Sequence, residues 1–469
     1  MSGPVPAGAW RALAVGAAGF VLFGFNSTAT NLAFGSIADT FDTVSETTVS
    51  WVASGFFIAS AAMLPLGGRL ADRVGRRRIF QLGLIGFAAS ALASALAPNI
   101  WVLIASRVAQ ATAGALVIPS SLAMALPRFP PGRRSSAVAT WSAAGPLSAA
   151  LAPSGAAALL GATSWRVVYL ISAPAAVLIL ALSFAYVTDS RGDDADGRLD
   201  LVGTVTAVSA LTLLVVGITQ ASTWGWSAPI TLGALVAGLV LGLAFIARSA
   251  RHPTPLVNVE LFRIPEVAVA NVANLFMSIT SLSIWLVWPL FLIRVWGFSV
   301  QTVGVAITIG PIFAGSAALA GGRLADRYGQ RWLMVVGSAI TTAAVSYGAV
   351  MIAATPDYPL RFAPMVAMFG LGWGISNPSM NSWALSKVPA DVFGETNAAF
   401  NTIRNLGAAV GTAAVFTIIG AAGGDDVVEP YRRAYVFFAV SVGLSFLTVA
   451  VGTYWIGRRT PVRLRPTAS

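Results

Sequence analysis

The sequence predicts an all-α membrane protein of fourteen spanning helices, arranged as two six-helix bundles with a pair of helices inserted between them. Three observations lead there. The first is composition: of 469 residues, 56% are hydrophobic and only 10% charged, too little charge to cover the surface of a soluble chain. The second is the gathering of apolar residues into runs of about twenty, the helix length that crosses roughly 30 Å of hydrocarbon. The third is a repeat. Gly67 to Arg78 reads GGRLADRVGRRR and Gly321 to Trp332 reads GGRLADRYGQRW, identical at nine of twelve positions and 254 residues apart. A basic segment duplicated between apolar runs marks a chain built from two related halves.

In chain order the runs fall near 12–34, 49–67, 79–97, 101–125, 136–160, 167–187, 201–220, 229–248, 266–292, 302–320, 332–354, 361–385, 395–420 and 433–456. The first is span length and lacks a small-residue cleavage site, so it reads as a span and not as a signal peptide. Spans seven and eight hold almost no polar residue and read as the inserted pair. Each basic segment then follows the second span of its half. The organisation is an N-terminal bundle over 1–190, an inserted segment with its loops over 191–265, and a C-terminal bundle over 266–469. An even number of spans puts both termini on one side. With the termini cytoplasmic, that side carries 22 Arg and Lys; the other carries five, namely Arg166, Arg294, Arg361, Arg432 and Arg433. Basic loops stay inside, which sets the orientation. The usage of 28 Arg against the single Lys387, with abundant Ala and Gly, points to a bacterial plasma membrane. Trp224, Trp226 and Trp296 fall in outer loops as interface aromatics. Asp189 to Asp200 reads as a solvated linker after span six.

The net charge of +11 would suggest nucleic acid in a soluble chain; here the arginines sit in short loops on one side. There is no cysteine and His252 is the one histidine, which removes disulfides, metal clusters and nucleophile–histidine sets. The sequence therefore points away from an enzyme. No cofactor is expected beyond a proton gradient, and the expected partners are small lipophilic substrates and membrane lipids, with the chain a monomer.

The repeated segment carries chemistry of its own. Gly68, Gly75, Gly322 and Gly329 let helices approach and turn. Asp72 and Asp326, at the ends of spans two and ten, can face the positive end of a neighbouring helix. Arg73, Arg76 and Arg327 can bridge to the partner half. Such contacts can latch one side shut and break when it opens. Anchoring by positive charge alone explains the arginines but not the acid, the glycines or the repetition.

These residues carry a resemblance. G-x-L-A-D-R-x-G-R-R resembles the signature loop of the major facilitator superfamily, and the fourteen-span plan is similar to its drug:proton antiporter branch, the multidrug-efflux proteins. Supporting segments run from Asn26 through Asn31 in span one, Leu103-x-x-x-Arg107-x-x-Gln110 in span four, Gly145-Pro146 with Ala152-Pro153 in span five, and Ser164-Trp165-Arg166 before span six. The resemblance implies the major facilitator fold, export by alternating access, and a part for Arg107 in proton coupling. Ala152, Ala156 and Ala157 stand where the family's antiporter motif has glycines; small residues preserve close packing. Family members usually carry an acid at the position of Asn26, and an amide does not titrate.

Arg107 and Arg404 are the only charges placed within spans, where a charge is costly and is normally paired or lines a wet cavity. Each is either functional or a structural arginine bonded to backbone carbonyls. All eighteen acids fall in loops or near span ends. Asp39, Glu266 and Glu395 are candidates for a displaced proton site, beside a plain loop reading. Substrate in such a plan binds near the midplane. The candidate lining is Asn26, Thr30 and Asn31 in span one, Gln110 in span four, Asn271 and Asn274 in span nine, Trp373, Asn377 and Asn381 in span twelve, and Asn401 in span thirteen. Trp285 adds an aromatic surface. The same asparagines could serve as bonds between helices, and Trp285 and Trp288 could face lipid. Amides and aromatics without an acid suit neutral or weakly polar lipophilic molecules. The leading reading is export of hydrophobic compounds and drugs. The second is export of lipids or lipophilic metabolites, and the third a non-transporting sensor or scaffold, which the duplicated segments disfavour.

Overall fold

A computed structural model describes residues 5–457 apart from 131–136, 138–139, 142–143, 190–199, 253–254, 256–258, 389–392 and 421–425. Among the described residues there are fifteen α-helices and no strand. They are α1 (Ala7–Thr40), α2 (Glu46–Val74), α3 (Arg76–Ala95), α4 (Ile100–Ala123), α5 (Ala144–Ala162), α6 (Arg166–Tyr186), α7 (Leu201–Trp224), α8 (Pro229–Ser249), α9 (Pro265–Ser281), α10 (Ile284–Arg294), α11 (Val300–Tyr328), α12 (Gln330–Met351), α13 (Ala363–Leu385), α14 (Phe393–Gly420) and α15 (Glu429–Gly457). Ten segments are long and apolar enough to cross a membrane, α9 and α10 counting together as one, Pro265–Arg294. This is a multi-pass helical protein.

The duplication extends beyond the repeated motif. α2 and α11 are both 29 residues long. Ser45 caps α2 by accepting from the Thr48 N–H at 3.2 Å, and Ser299 caps α11 by accepting from the Thr302 N–H at 3.2 Å. In both, the cap hydroxyl also meets the threonine hydroxyl, at 3.0 and 2.9 Å. These caps satisfy amides that a helix start leaves open. Both helices end at a glycine of positive φ, Gly75 at 125° and Gly329 at 81°. Only glycine adopts this backbone without strain, and it turns the chain directly into α3 and α12. The basic segment is thus a helix end, one glycine and the next helix start.

The sequence-predicted ninth span, 266–292, is divided. α9 stops at Ser281 and α10 starts at Ile284. At the break the Thr280 hydroxyl donates to the Phe438 carbonyl of α15 at 3.2 Å and the Ser283 hydroxyl meets that of Thr412 of α14 at 3.5 Å, and Pro289 removes one helical amide further on. α14 presses on the break: a Cβ on Gly411 would lie 2.1 Å from the Ile279 carbonyl oxygen.

Packing sorts the helices. α1 packs on α4, α5 and α6, α2 and α3 pack on α4, and α3 packs on α6. In the second half α9 packs on α14 and α15, and α13 on α11 and α12. The halves meet along two seams, α2 against α14 and α5 against α11. α7 and α8 form a hairpin, and α7 lies over the first seam, touching both α2 and α14. Thr417 on α14 donates to the Ile218 carbonyl of α7 at 3.0 Å. One end of the molecule, away from the start of α1 and the close of α15, is shut across the halves. There the Phe34 ring meets that of Phe416 at 4.6 Å, tilted by 36°, and Arg294 at the end of α10 pairs with Glu46 at the start of α2 at 2.8 Å.

Two further expectations change. Trp296 is buried, not an interface residue, and its indole donates to the Ala353 carbonyl at 2.9 Å. Asp200 is not part of a solvated linker; of that stretch, 190–199 lie outside the described residues. The buried Asp200 side chain caps α7 through the Gly203 N–H at 2.8 Å and accepts two bonds from Arg248 of α8, at 3.0 and 2.9 Å. Burial works to raise this carboxyl, but the Gly203 N–H and the Arg248 guanidinium outweigh it and hold it below the usual carboxylate range. A depressed folded value contributes stability above the ordinary pKa of about 4, lost as pH falls through the folded value. Asp200→Ala is expected to cost roughly 1–2 kcal/mol at neutral pH, as loss of a cap does. Thermal unfolding of the detergent-purified protein should show this gap closing as the pH is taken below about 4.

Candidate functional site

Arg107 lies in the body of α4 and is 1% exposed. A guanidinium stays protonated in proteins and offers five donors and no acceptor. Its surroundings come from four helices of the first half. Its Nη1 donates to Asn26 Oδ1 of α1 and to Gln110 Oε1, one turn along α4. Its Nε points to the Val52 carbonyl of α2 at 3.5 Å. The Phe56 ring of α2 covers it at 4.2 Å and the Tyr169 ring of α6 lies at 5.5 Å, both within the range of a cation–π contact. No carboxylate pairs with Arg107 among the described residues.

A second layer fixes the first. Asn26 Nδ2 donates to Ser172 Oγ of α6 at 3.1 Å, and that hydroxyl donates to the Val168 carbonyl at 2.8 Å. Thr30 donates to the Asn26 carbonyl at 2.8 Å and meets the Tyr169 hydroxyl at 3.1 Å. Asn26 and Gln110 are fully buried. The Gln110 carbonyl is taken by Arg107, while its Nε2 has no hydrogen-bond partner among the described residues. The site is a buried cation held by neutral oxygens and π faces.

The second half carries two groups of amides. Asn274 donates to the Phe400 carbonyl at 2.8 Å and accepts from Ser278 at 3.3 Å, and Asn377 approaches its oxygen at 3.5 Å. Asn381 donates to Asn397 Oδ1 at 3.1 Å, and Asn401 reaches the same oxygen at 3.2 Å. These join α9 to α13 and α14, and α13 to α14. Asn271 turns back to its own helix, donating to the Val267 carbonyl at 2.9 Å. Asn31 is buried near the closed end. Trp285 sits edge-on to Trp288 at 5.1 Å. Trp288 is fully buried in the second half and does not face lipid. The indole N–H of Trp373 and the Nε of Arg404 are buried without partners among the described residues.

The boundary acids divide. Asp39 is exposed at the end of α1 and Glu266 is buried in the first turn of α9. The side chain of Glu395 lies outside the described residues, as do those of Asp72, Asp326 and Arg327, and the surroundings of Gly322. Of the remaining signature residues, Arg73 is exposed. Gly68 sits beside Pro119 of α4, 3.6 Å from where its Cβ would be. Arg76 donates to the Ala123 carbonyl at the end of α4 at 3.2 Å, and Arg77 to the Phe184 carbonyl of α6 at 3.4 Å. These bonds tie the start of α3 to α4 and α6. Arg69 instead reaches the Pro255 carbonyl, between α8 and α9.

The sequence puts Gln110 on the face of Arg107 and Thr30 on that of Asn26, but does not show that the two pairs meet, nor that Phe56, Tyr169 and Ser172 join them. Tyr169 and Ser172 are three apart in an otherwise apolar span, a signal for one polar face. Phe56 has no such mark.

Compared with known proteins, residues 16–200, 197–412 and 270–469 match the pattern of the Major Facilitator Superfamily. The chain belongs to the major facilitator superfamily. This facilitator is 32% identical over 425 residues to the multidrug efflux pump LfrA of Mycolicibacterium smegmatis, covering 89% of this chain and 82% of that one. It is 26% identical over 474 residues to the methylenomycin A resistance protein of Streptomyces coelicolor, covering 99% and 97%. Its fold matches the crystal structure of a POT family transporter in complex with a thioalcohol conjugated peptide, with a TM-score of 0.70 at 16% identity over 97% and 96% of the two chains.

Asn26→Leu removes an acceptor from a buried cation. It is expected to cost about 2–3 kcal/mol, the range for hydrogen bonds to charged groups. The drop in thermal midpoint should exceed that for Asn271→Leu, because Asn271 bonds only to its own helix.

Proposed function

We propose that this facilitator exports hydrophobic small molecules, drugs among them, by alternating access across a bacterial plasma membrane. The observation that carries the reading is the matched pair α2 and α11. Cap serines, equal lengths and glycine turns recur 254 residues apart, giving each half the same rigid element beside the partner half. Both elements lie at the seams, where rocking of one half on the other takes place. The closed end, with Phe34 on Phe416 and Arg294 on Glu46, is one of the two end states such a cycle needs. The names of the multidrug efflux pump and the methylenomycin A resistance protein support the direction of transport.

On this reading the chain crosses the membrane fourteen times. The ten apolar segments are joined by α2, α5, α7 and α13, and the split α9–α10 counts once. The plan is six, two and six, with α7 and α8 as the inserted pair and both termini cytoplasmic. Signature glycines and acids at 68–76 and 322–329 act as the cytoplasmic latch. The amides Asn274, Asn377, Asn381 and Asn401, with Trp285 and Trp373, line the substrate path. A proton gradient drives the cycle. With Asn26 at the span-one position, coupling uses a boundary acid together with Arg107; Glu266 is the buried one among those described. Lipid export is the second reading, favoured by a lining without a carboxylate.

Accumulation of a lipophilic dye in cells, with and without an uncoupler, tests both. Cells producing the protein are expected to hold about three- to tenfold less dye than cells lacking it, a ratio that collapses when the gradient does. Unchanged dye levels together with altered membrane lipid composition on deletion would replace the first reading with the second.

A further inference from the structure

We propose that Arg107 and Gln110 form an anion site that receives the acid group of an amphiphilic substrate. This rests on the transporter reading and narrows its substrate class from hydrophobic small molecules to lipophilic acids.

The argument begins with charge. A buried cation normally has an anionic partner, because neutral oxygens offset only part of the cost of leaving water. Arg107 is 1% exposed and its partners among the described residues are all neutral: two side-chain amide oxygens, one backbone carbonyl and two aromatic faces. The local field therefore stays positive. Donors are in surplus as well. The Arg107 hydrogen bonds run from Nη1 and Nε and do not engage Nη2, and Gln110 Nε2 is fully buried with no partner among the described residues. Both belong to side chains one helical turn apart on α4, held together by their own hydrogen bond. Unused N–H groups beside an unpaired guanidinium are what a carboxylate satisfies, through charge-assisted bonds about twice as strong as neutral ones.

Position supplies the route. Phe56 lies over the guanidinium at 4.2 Å. The same ring belongs to an apolar cluster with Ala408, Ala409 and Ala413 of α14. Arg107 is thus one aromatic ring away from the seam between the halves. When the halves part there, Phe56 stays with α2, and its ring, freed of the α14 alanines, swings aside about its own side-chain bonds to uncover the cation. The apolar cluster then takes the lipophilic body while the cation takes its acid. Asn26 explains why the site is free. An aspartate at this position would place an internal carboxylate on Arg107 Nη1 and fill the site.

The test is equilibrium binding of 4-phenylbutyrate and its neutral isostere 4-phenylbutyramide to the purified full-length protein in lipid nanodiscs at neutral pH. Empty nanodiscs serve as the baseline. Wild type is expected to bind the acid at least about tenfold more tightly than the amide. Asn26→Asp, with a thermal midpoint no lower than wild type, is expected to bring the two within about twofold of each other. Gln110→Leu, which keeps the cation, is expected to weaken the acid about fivefold and leave the amide unchanged. Equal binding of acid and amide by wild type overturns the proposal, and so does a preference for the acid that survives in Asn26→Asp. Repeating the titration with the chloride salt replaced by sucrose at equal osmolarity separates the sources. Acid binding that tightens shows a site shared with small inorganic anions, and binding that does not move shows one kept for substrate. A protein that binds the acid at Arg107 but leaves dye accumulation untouched would retain this site and lose the export reading.

Discussion

One buried guanidinium sets the terms for the first half of this molecule. Arg107 cannot lose its proton and cannot reach water, so four helices must bring oxygens and π faces to it. That requirement places Asn26 of α1, Val52 and Phe56 of α2, Gln110 of α4 and Tyr169 of α6 at defined positions around one point. Ser172 and Thr30 in turn hold Asn26 and Tyr169. Helices in lipid gain little from apolar contact with one another, and polar bonds between them carry more of the specificity. The network around Arg107 therefore sets the register of α1, α2, α4 and α6.

The second half solves its packing differently. Asparagine bonds tie α9 to α14 and α13, and α13 to α14. Amides are donor and acceptor at once, so such groups need no charge and can exchange partners at small cost when helices slide. A rigid charged cluster in one half facing exchangeable amide groups in the other fits two bundles that rock as bodies. α7 lies over one of the seams along which they move.

Much of this was legible in the sequence. The repeated GGRLAD segment gave the two halves, and the same spacing recovers the helix caps Ser45 and Ser299. Arg107 stood out because a charge inside an apolar run is rare, and Gln110 because of its three-residue offset. What was hidden lay in tertiary contact. Nothing local says that Asp200 pairs with Arg248, since the partners are separated by the whole α7–α8 hairpin. The division of span nine depends on α14 pressing against Ile279, and hydropathy alone runs straight through it. Trp296 and Trp288 look like membrane-facing aromatics in composition and are core residues in the fold.

The central claim is that export requires the shut end, where Phe34 meets Phe416, to open in every cycle. The chain has no cysteine, so a Phe34→Cys, Phe416→Cys pair can be joined selectively by a short bifunctional thiol reagent with a reducible link. The account predicts that joining the pair stops substrate efflux and that reduction restores it, while each single variant stays active with or without reagent. Undiminished efflux from protein shown to be fully cross-linked would contradict it.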